Sequence, residues 1–237
     1  MRAWINGLGW VTPAGQGQGR QSQEMPLRQG DLEIPTRKQV FAQMDRRFGR
    51  LDDFSRIGLA ALAFCLRDGN TEEWQDKRSL GVVAASRYGC LQTDLAYLQT
   101  MLPEQGKLAS PNLFAYTLPN CFLGEAALRF GLTGNNMILN RRDPGRLESI
   151  KTGLTELAWS DQCGVMAGIV DLTAPSEFSA ADDFPGSLFL LLEKEQRSNS
   201  ESYGYLELRE GLLYFNGQVV DSLVGLITAC LKAQCRL

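Results

Sequence analysis

Three runs of mostly apolar residues predict strands that are covered on both faces. Residues 80–85, 164–170 and 186–193 contain few polar side chains, and continuous apolar runs of this length are typical of strands in a sheet with helices on both sides. A shorter strand is predicted over residues 137–139. The segment 4–12 is predicted to open the chain as a strand that enters a glycine-rich turn.

The segments between these strands predict helices. Residues 52–68 are apolar on most sides of a helix, which indicates a largely buried element. Residues 14–37 are rich in Gln, Gly and Arg and are predicted to form an exposed loop. The predicted helices cover residues 52–68, 91–101, 124–131, a segment from Asp143-Pro144 to Trp159, and 221–233.

Strands alternate with helices along the chain, and this order is typical of the α/β class. We therefore predict a parallel or mixed sheet covered by helices. Near the C-terminus, residues 203–209 and 212–215 predict a hairpin that turns at Glu210. We predict a single domain over residues 1–237, in which 198–237 form a hairpin-plus-helix extension after a polar joint.

The composition is that of a soluble globular protein. Of 237 residues, 44% are hydrophobic and 22% are charged, which are ordinary fractions. The formal net charge of −3 gives no electrostatic basis for binding nucleic acid or an anionic membrane. No apolar run reaches the roughly 18 residues that a membrane span requires, and the N-terminus lacks the apolar core of a signal peptide. We expect a cytoplasmic protein with no nucleic-acid partner and no membrane span.

The sequence contains no histidine, which excludes Ser-His-Asp and Cys-His catalysis and every histidine-containing zinc site. The cysteines are scattered and form no CxxC pair, so they are expected to be small buried apolar residues in a reducing compartment. We predict no metal and no cofactor. The cysteines are Cys65, Cys90, Cys121, Cys163, Cys230 and Cys235.

An ordered set of short motifs carries a family resemblance. In chain order they are Ser110-Pro111, Pro119-Asn120, Gly124, the run 130–134, the turn 168–171 and the strand 186–193. In order and spacing they resemble the β-ketoacyl synthases of the thiolase-like superfamily, over roughly residues 4–195. The resemblance implies a thiolase-like α/β fold, mostly one α/β/α half with a mixed central sheet.

The same resemblance places Asp143 where the family has its nucleophilic cysteine, at the N-terminus of a buried helix. Asp is a favoured N-cap and Pro is favoured at the first helical position, so Asp143-Pro144 is interpreted as an ordinary helix cap. The C-terminal half of the family, which supplies a pair of catalytic histidines, has no counterpart in this chain. The resemblance therefore implies a degenerate, non-catalytic subunit and not an enzyme.

Some pathways in this family use heterodimers in which a subunit without the cysteine, the chain-length factor, shapes the acyl cavity. The resemblance implies such a subunit, partnering an active ketosynthase and an acyl carrier protein in fatty acid, polyketide or aryl-polyene biosynthesis, as a homo- or heterodimer. For each residue that the resemblance implies at the interface, the alternative is that it is buried in the protein's own core. The residues implied at the partner interface or acyl tunnel are Leu113, Phe114, Tyr116, Thr117, Leu118, Met137, Ile138 and Leu139.

Two other functions remain open from the sequence. One is an enzyme with redesigned acyl-thioester chemistry, a decarboxylase or acyltransferase in which Asp143 acts together with Cys90, Cys121 or Lys151. The other is a scaffold that associates only with itself. The pair Arg141-Arg142 is interpreted either as a contact to a phosphopantetheine or carrier-protein phosphate or, preferably, as solvated surface.

Overall fold

The computed structural model describes residues 2–21, 26–28, 30–178, 180, 183–197 and 202–234 of the chain. Within these residues the protein is built on one mixed sheet of nine strands. In chain order the strands are β1 (Arg2–Thr12), β2 (Gly15–Gln18), β3 (Leu80–Ser86), β4 (Asn136–Asn140), β5 (Gly164–Asp171), β6 (Gly186–Glu193), β7 (Gly204–Arg209), β8 (Leu212–Phe215) and β9 (Gln218–Val220).

Helices lie on both faces of this sheet. In chain order the α-helices are α1 (Arg37–Val40), α2 (Asp53–Asp68), α3 (Leu91–Met101), α4 (Pro111–Phe114), α5 (Cys121–Phe130), α6 (Glu148–Trp159) and α7 (Leu223–Gln234). In the part of the chain that the structure describes, no helix has the length and apolar character needed to cross a bilayer.

The sheet combines parallel and antiparallel pairs. Its strand order is β4-β3-β5-β6-β1-β7-β8-β9, and β2 pairs with the second half of β1. β4, β3 and β5 are parallel to one another, whereas β6 and β1 run antiparallel to their neighbours. Parallel strands need long crossover connections, and these connections contain α3 to α6. In this strand order β4 is the first strand, so it lies at one edge of the sheet.

Two groups of apolar side chains cover the sheet. α2 and α5 pack against one face, where Phe54, Leu62 and Phe122 are buried. α6 and α7 cover the other face with Ile150 and Leu226. Every residue of β3 and β5 is buried, because helices cover both sides of these strands. The predicted α/β class with a mixed central sheet is confirmed.

The glycines at the start of the chain lie within β1 and not in the turn predicted there. A Cβ at Gly9 would lie 2.1 Å from the backbone nitrogen of Cys65 in α2, far closer than van der Waals contact allows. At Gly7 a Cβ would lie 2.4 Å from the Cys65 carbonyl oxygen. These glycines therefore allow α2 to lie directly on the strand.

A buried carboxylate connects the C-terminal segment to the rest of the protein. Asp68, the last residue of α2, accepts hydrogen bonds from the amides of Leu8 (2.9 Å) and Arg20 (2.8 Å). The hydroxyl of Tyr203, just before β7, donates to the same carboxylate at 2.7 Å. Burial raises the pKa of Asp68, and these hydrogen bonds act against that rise. One side chain thus joins β1, α2 and the C-terminal hairpin.

Most predicted elements are confirmed, but the segment 14–37 differs from the predicted loop. It contains β2, which pairs with β1 through its backbone, and α1 begins at its end. The C-terminal hairpin is confirmed, with Glu210 and Gly211 in the left-handed region (φ 50° and 78°) that a tight hairpin turn requires. The following strand β9 was not predicted. Residues 198–201 of the predicted joint and Cys235 lie outside the described residues, so the domain boundary there stays a prediction.

Candidate functional site

Asp143 lies in a turn between β4 and α6, not at the start of a helix. Its carboxylate accepts hydrogen bonds from the amides of Gly145 (2.9 Å) and Leu147 (3.2 Å). Its carbonyl accepts the Arg146 amide at 3.0 Å. The prediction that a helix starts at Asp143-Pro144 is wrong, since α6 begins five residues after Asp143. The Asp side chain satisfies amides within its own turn, and Arg146 has a left-handed φ of 61°, which a helix does not accommodate.

The turn at Asp143 is held by groups on both sides. At the first position of α6, Oε1 of Glu148 accepts the Arg142 amide at 2.7 Å. The carbonyl of Gly145 accepts the Leu223 amide at the start of α7, at 2.8 Å. A Cβ at Gly145 would lie 2.3 Å from the Asp221 carbonyl oxygen, so this position requires glycine. The turn therefore packs against the C-terminal segment.

Arg141 precedes the turn and is buried. Its Nε lies 3.6 Å from Oδ2 of Asp171, and the two side chains are 4% and 6% exposed. The Arg141 amide donates to the Ser86 carbonyl at 2.7 Å and so continues the pairing of β4 with β3. The interpretation of Arg141 as solvated surface is wrong, whereas Arg142 is exposed. A desolvated ion pair of this kind is costly unless further hydrogen bonds satisfy both groups.

Asp171 has such further partners. Its Oδ1 accepts the Ser86 hydroxyl and the Arg87 amide, both at 2.8 Å, and the Tyr88 amide at 3.1 Å. Burial raises the pKa of Asp171, while the hydrogen bonds from Tyr88 and Ser86 and the charge of Arg141 act against that rise. The last residue of β5 is therefore fixed to the segment that follows β3.

Residues of the β5–β6 connection contact Arg87 and Tyr88, close to the Arg141–Asp171 ion pair. The Tyr88 hydroxyl lies 2.7 Å from both the Phe178 carbonyl oxygen and Oδ2 of Asp183, and its single proton donates to one of them at a time. Arg87 forms an ion pair with Asp183 at 3.2 Å. Beneath the connection lies a cavity of about 200 Å³ whose wall includes Arg141. The carboxyl ends of β3, β4 and β5 thus meet beside this cavity, and such a position is typical of ligand sites in α/β sheets.

β4 presents one free edge. Met137, Ile138 and Leu139 pair in parallel with β3, and no other strand of the described residues pairs with β4. All three side chains are half-buried. Met137 and Leu139 pack toward the α6–α7 face, and Ile138 packs toward the α2–α5 face. Their place at a partner interface stays a prediction.

The other predicted interface residues lie in and after α4. Phe114 is 62% exposed and Leu118 is 63% exposed, so the alternative that these two belong to the core is wrong. Leu113, Tyr116 and Thr117 are half-buried. The contact of any of the five with a partner or an acyl tunnel stays a prediction.

Leu113 and Tyr116 line a pocket of the chain itself. The pocket has a volume of about 530 Å³ and lies at the N-terminus of α2. There Asp52 accepts the Ser55 amide (3.0 Å) on one oxygen and the Thr93 hydroxyl (2.6 Å) on the other. Phe114 and Leu118 do not line this pocket and are the most exposed of the five predicted tunnel residues between Leu113 and Leu118.

Further apolar side chains are exposed in the same part of the chain, residues 98–118, and the sequence reasoning missed them. The rings of Phe114 and Tyr97 are 5.5 Å apart, which joins α4 to α3. Thr93 is the one buried residue of α3, and Leu98 and Met101 of that helix are exposed. Exposed patches of this kind mark protein-interaction sites. We group the exposed apolar side chains of this segment as the apolar patch: Leu98, Met101, Leu102, Leu108, Phe114 and Leu118.

No protein-family profile and no curated protein matches the sequence, but solved structures match the fold. One is the AntDE:AntF complex, a type II polyketide synthase acyl-carrier protein with its ketosynthase bound to the hexaketide, with a TM-score of 0.68 and 16% identity over 86% of this chain and 67% of that one. A second is the ishigamide ketosynthase/chain length factor, with a TM-score of 0.67 and 12% identity over 86% and 62% of the two chains.

The chain has the ketosynthase fold. This confirms the thiolase-like fold that the motif order implied. A third match, the ketosynthase ApeO in complex with its chain length factor ApeC from Xenorhabdus doucetiae, has a TM-score of 0.57 and 19% identity. It covers 82% of this chain and 80% of that one, so the two chains are similar in length. In contrast, this chain spans 67% and 62% of the AntDE:AntF and ishigamide chains.

Within this ketosynthase fold, the groups proposed for redesigned chemistry do not meet at Asp143. Burial and the neighbouring Asp94 raise the pKa of Cys90 to about 12, which keeps the thiol protonated at neutral pH. Burial also raises the pKa of Cys121, which lies at the start of α5. Neither thiol nor Lys151 forms a hydrogen bond or ion pair with Asp143 in the described part of the chain. Across the same residues there is no cluster of three or more His, Cys, Asp or Glu side chains that could hold a metal ion.

Proposed function

We propose that this ketosynthase-fold chain is a non-catalytic subunit of the chain-length-factor type, which pairs with an active β-ketoacyl synthase. The observation that carries the proposal is the state of Asp143, at the position that the resemblance assigns to the nucleophile. Its carboxylate accepts two amides of its own turn, and that turn is covered by the start of α7. A carboxylate is also a poor acyl acceptor, and the chain has no histidine to assist it.

The free edge of β4 and the apolar patch support a partner. An unpaired strand edge is a site where another chain can add hydrogen bonds. Apolar and aromatic side chains exposed together, such as Phe114 and Leu118, are typical of the centre of a protein–protein interface. Both features lie in segments that the resemblance assigns to the partner contact.

The matched structures support the identity of that partner. Two of them are described as a ketosynthase with a chain length factor, and another includes an acyl-carrier protein. By analogy, we propose a heterodimer with a full ketosynthase that serves an acyl carrier protein in a fatty acid, polyketide or aryl-polyene pathway. Phe114 and Leu118 would contact the partner or the floor of its acyl tunnel, while Leu113 and Tyr116 support them from the protein's own pocket.

The test is complex formation with an active, full-length ketosynthase from the same organism. The two chains are co-expressed, and the mass of the purified complex is measured by size-exclusion chromatography with light scattering. Leu118→Glu places a charge in the apolar patch, and we expect it to weaken association at least about tenfold, or ~1.4 kcal/mol. Leu128→Glu is the matched control, because Leu128 is 65% exposed near the end of α5 and outside the patch.

Three results would contradict the proposal. A complex that forms equally well with both variants would remove the patch from the interface. Absence of any complex with the ketosynthase would remove the partner. A stable homodimer that excludes the ketosynthase would favour the self-associating scaffold instead.

A further inference from the structure

The cavity beneath the β5–β6 connection has one charged donor group and mostly apolar walls. Its volume is about 200 Å³. Leu172, Phe184 and Pro185 contribute apolar surface, and the Arg141 side chain forms part of the wall. The cavity lies at the carboxyl ends of β4 and β5. Its wall includes Arg141, the residue after β4, and Asp171, the last residue of β5.

The guanidinium of Arg141 is buried but incompletely satisfied. A guanidinium carries five N–H donors. In the described part of the chain, its one charged partner is Asp171, and that contact joins Nε to Oδ2 at 3.6 Å, beyond hydrogen-bond distance. No side-chain hydrogen bond of Arg141 to another described residue exists. Among the described residues, no Arg141 nitrogen is a fully buried atom without a partner, so the unused N–H groups reach the open space of the cavity.

Two carboxylates, Asp171 and Asp183, also line the cavity, and both already have partners. Oδ1 of Asp171 accepts three hydrogen bonds, from the Ser86 hydroxyl and from the amides of Arg87 and Tyr88. Asp183 is paired with Arg87 and accepts the Tyr88 hydroxyl. Arg141 is the one cation in the cavity wall, and the N–H donors of its guanidinium have no hydrogen bond to a described residue, so the ligand group that complements them is an anion.

We propose that this cavity binds a small organic carboxylate, with its two oxygens on the guanidinium of Arg141. Carboxylates pair with guanidinium groups through two parallel hydrogen bonds. The apolar walls fit an apolar remainder, and since a cavity of about 150 Å³ accepts benzene, a cavity of about 200 Å³ admits a molecule as large as benzoate. The inference does not rest on the proposed function, because neither the partner nor Asp143 enters it.

Titration of the purified full chain with sodium benzoate tests the proposal, with benzamide as the neutral ligand of the same shape. Binding is measured by isothermal titration calorimetry up to about 10 mM ligand, well above the ~1 mM dissociation constant of a weak site. We expect saturable binding of benzoate that is at least about tenfold tighter than that of benzamide. Arg141→Met is expected to abolish it.

A second variant keeps the test valid if Arg141→Met does not fold. Ala174 lines the cavity and is half-buried on the connection, so Ala174→Leu fills the space while it leaves the Arg141–Asp171 pair in place. Ala158→Leu, on the exposed side of α6, is the matched control. We expect Ala174→Leu to weaken benzoate binding at least about tenfold and Ala158→Leu to leave it unchanged. Absence of saturable binding to the wild-type chain, or equal binding to Ala174→Leu, would overturn the inference and leave a cavity filled by water.

Discussion

The hydroxyl of Tyr203 is the group whose removal best tests how the C-terminal segment is held. In Tyr203→Phe the ring stays in place, but the buried carboxylate of Asp68 loses a hydrogen bond of 2.7 Å. A hydrogen bond to a charged group contributes about 1.5–3 kcal/mol. Because the amides of Leu8 and Arg20 still donate to Asp68, we expect a loss near the lower end, ~1.5 kcal/mol.

The assay is equilibrium unfolding in urea, followed by circular dichroism. With a slope of about 3 kcal/mol/M, the midpoint of Tyr203→Phe falls by ~0.5 M and the slope is unchanged. Tyr205→Phe, at the second position of β7, is the matched control: its ring contacts Trp4 at 5.5 Å, and its hydroxyl donates to no described residue. The midpoint of this control is expected to stay within ~0.1 M of the wild type.

Equal midpoints for the two variants would refute this reasoning. They would mean that the carboxylate of Asp68 gains nothing from Tyr203 in the folded protein. A separate early transition in Tyr203→Phe would have a different meaning: the C-terminal hairpin and helix would then unfold independently of the sheet, although they continue it and cover the turn at Asp143.

The remaining predictions concern the site and the thiols. Asp143→Ala is expected to lower the unfolding free energy by ~1 kcal/mol, and Asp143→Asn is expected to lower it by less, because Asn keeps one of the two acceptor oxygens. Neither is expected to alter the rate of malonyl-thioester decarboxylation, and a rate that drops to background in Asp143→Asn would support the enzyme alternative. In thiol labelling near pH 8, exposed Cys163 is expected to react first. Cys90 stays protected until the pH approaches its pKa of about 12, and labelling as fast as that of Cys163 would contradict this.

Local patterns were sufficient to predict the class of fold and its order of elements. The apolar runs 80–85 and 164–170 became strands with every residue buried, because an unbroken apolar run is stable only where both faces are covered. The ordered motifs between Ser110 and residue 134 pointed to the ketosynthase fold, which the matched structures confirm. These features can be predicted from the sequence because they depend on residues that are close together along the chain.

Features that depend on distant contacts were not predictable in this way. The polar segment Gly15–Gln18 became β2 because the backbone of β1 lies beside it, and backbone pairing leaves no trace in side-chain hydrophobicity. Asp143-Pro144 has the local pattern of a helix start, yet the turn closes on Gly145 and packs against α7, which lies near the other end of the chain.

The same limit applies to charge and exposure at the site. From its neighbours in sequence Arg141 is an ordinary surface residue, and its burial follows from Asp171, thirty positions further along the chain. Phe114 and Leu118 are as apolar as core residues, and their exposure follows from the absence of any described element that covers them. The sequence shows which side chains are stabilised by burial away from water. The three-dimensional packing determines which of them are buried within the chain and which stay exposed and available to other molecules.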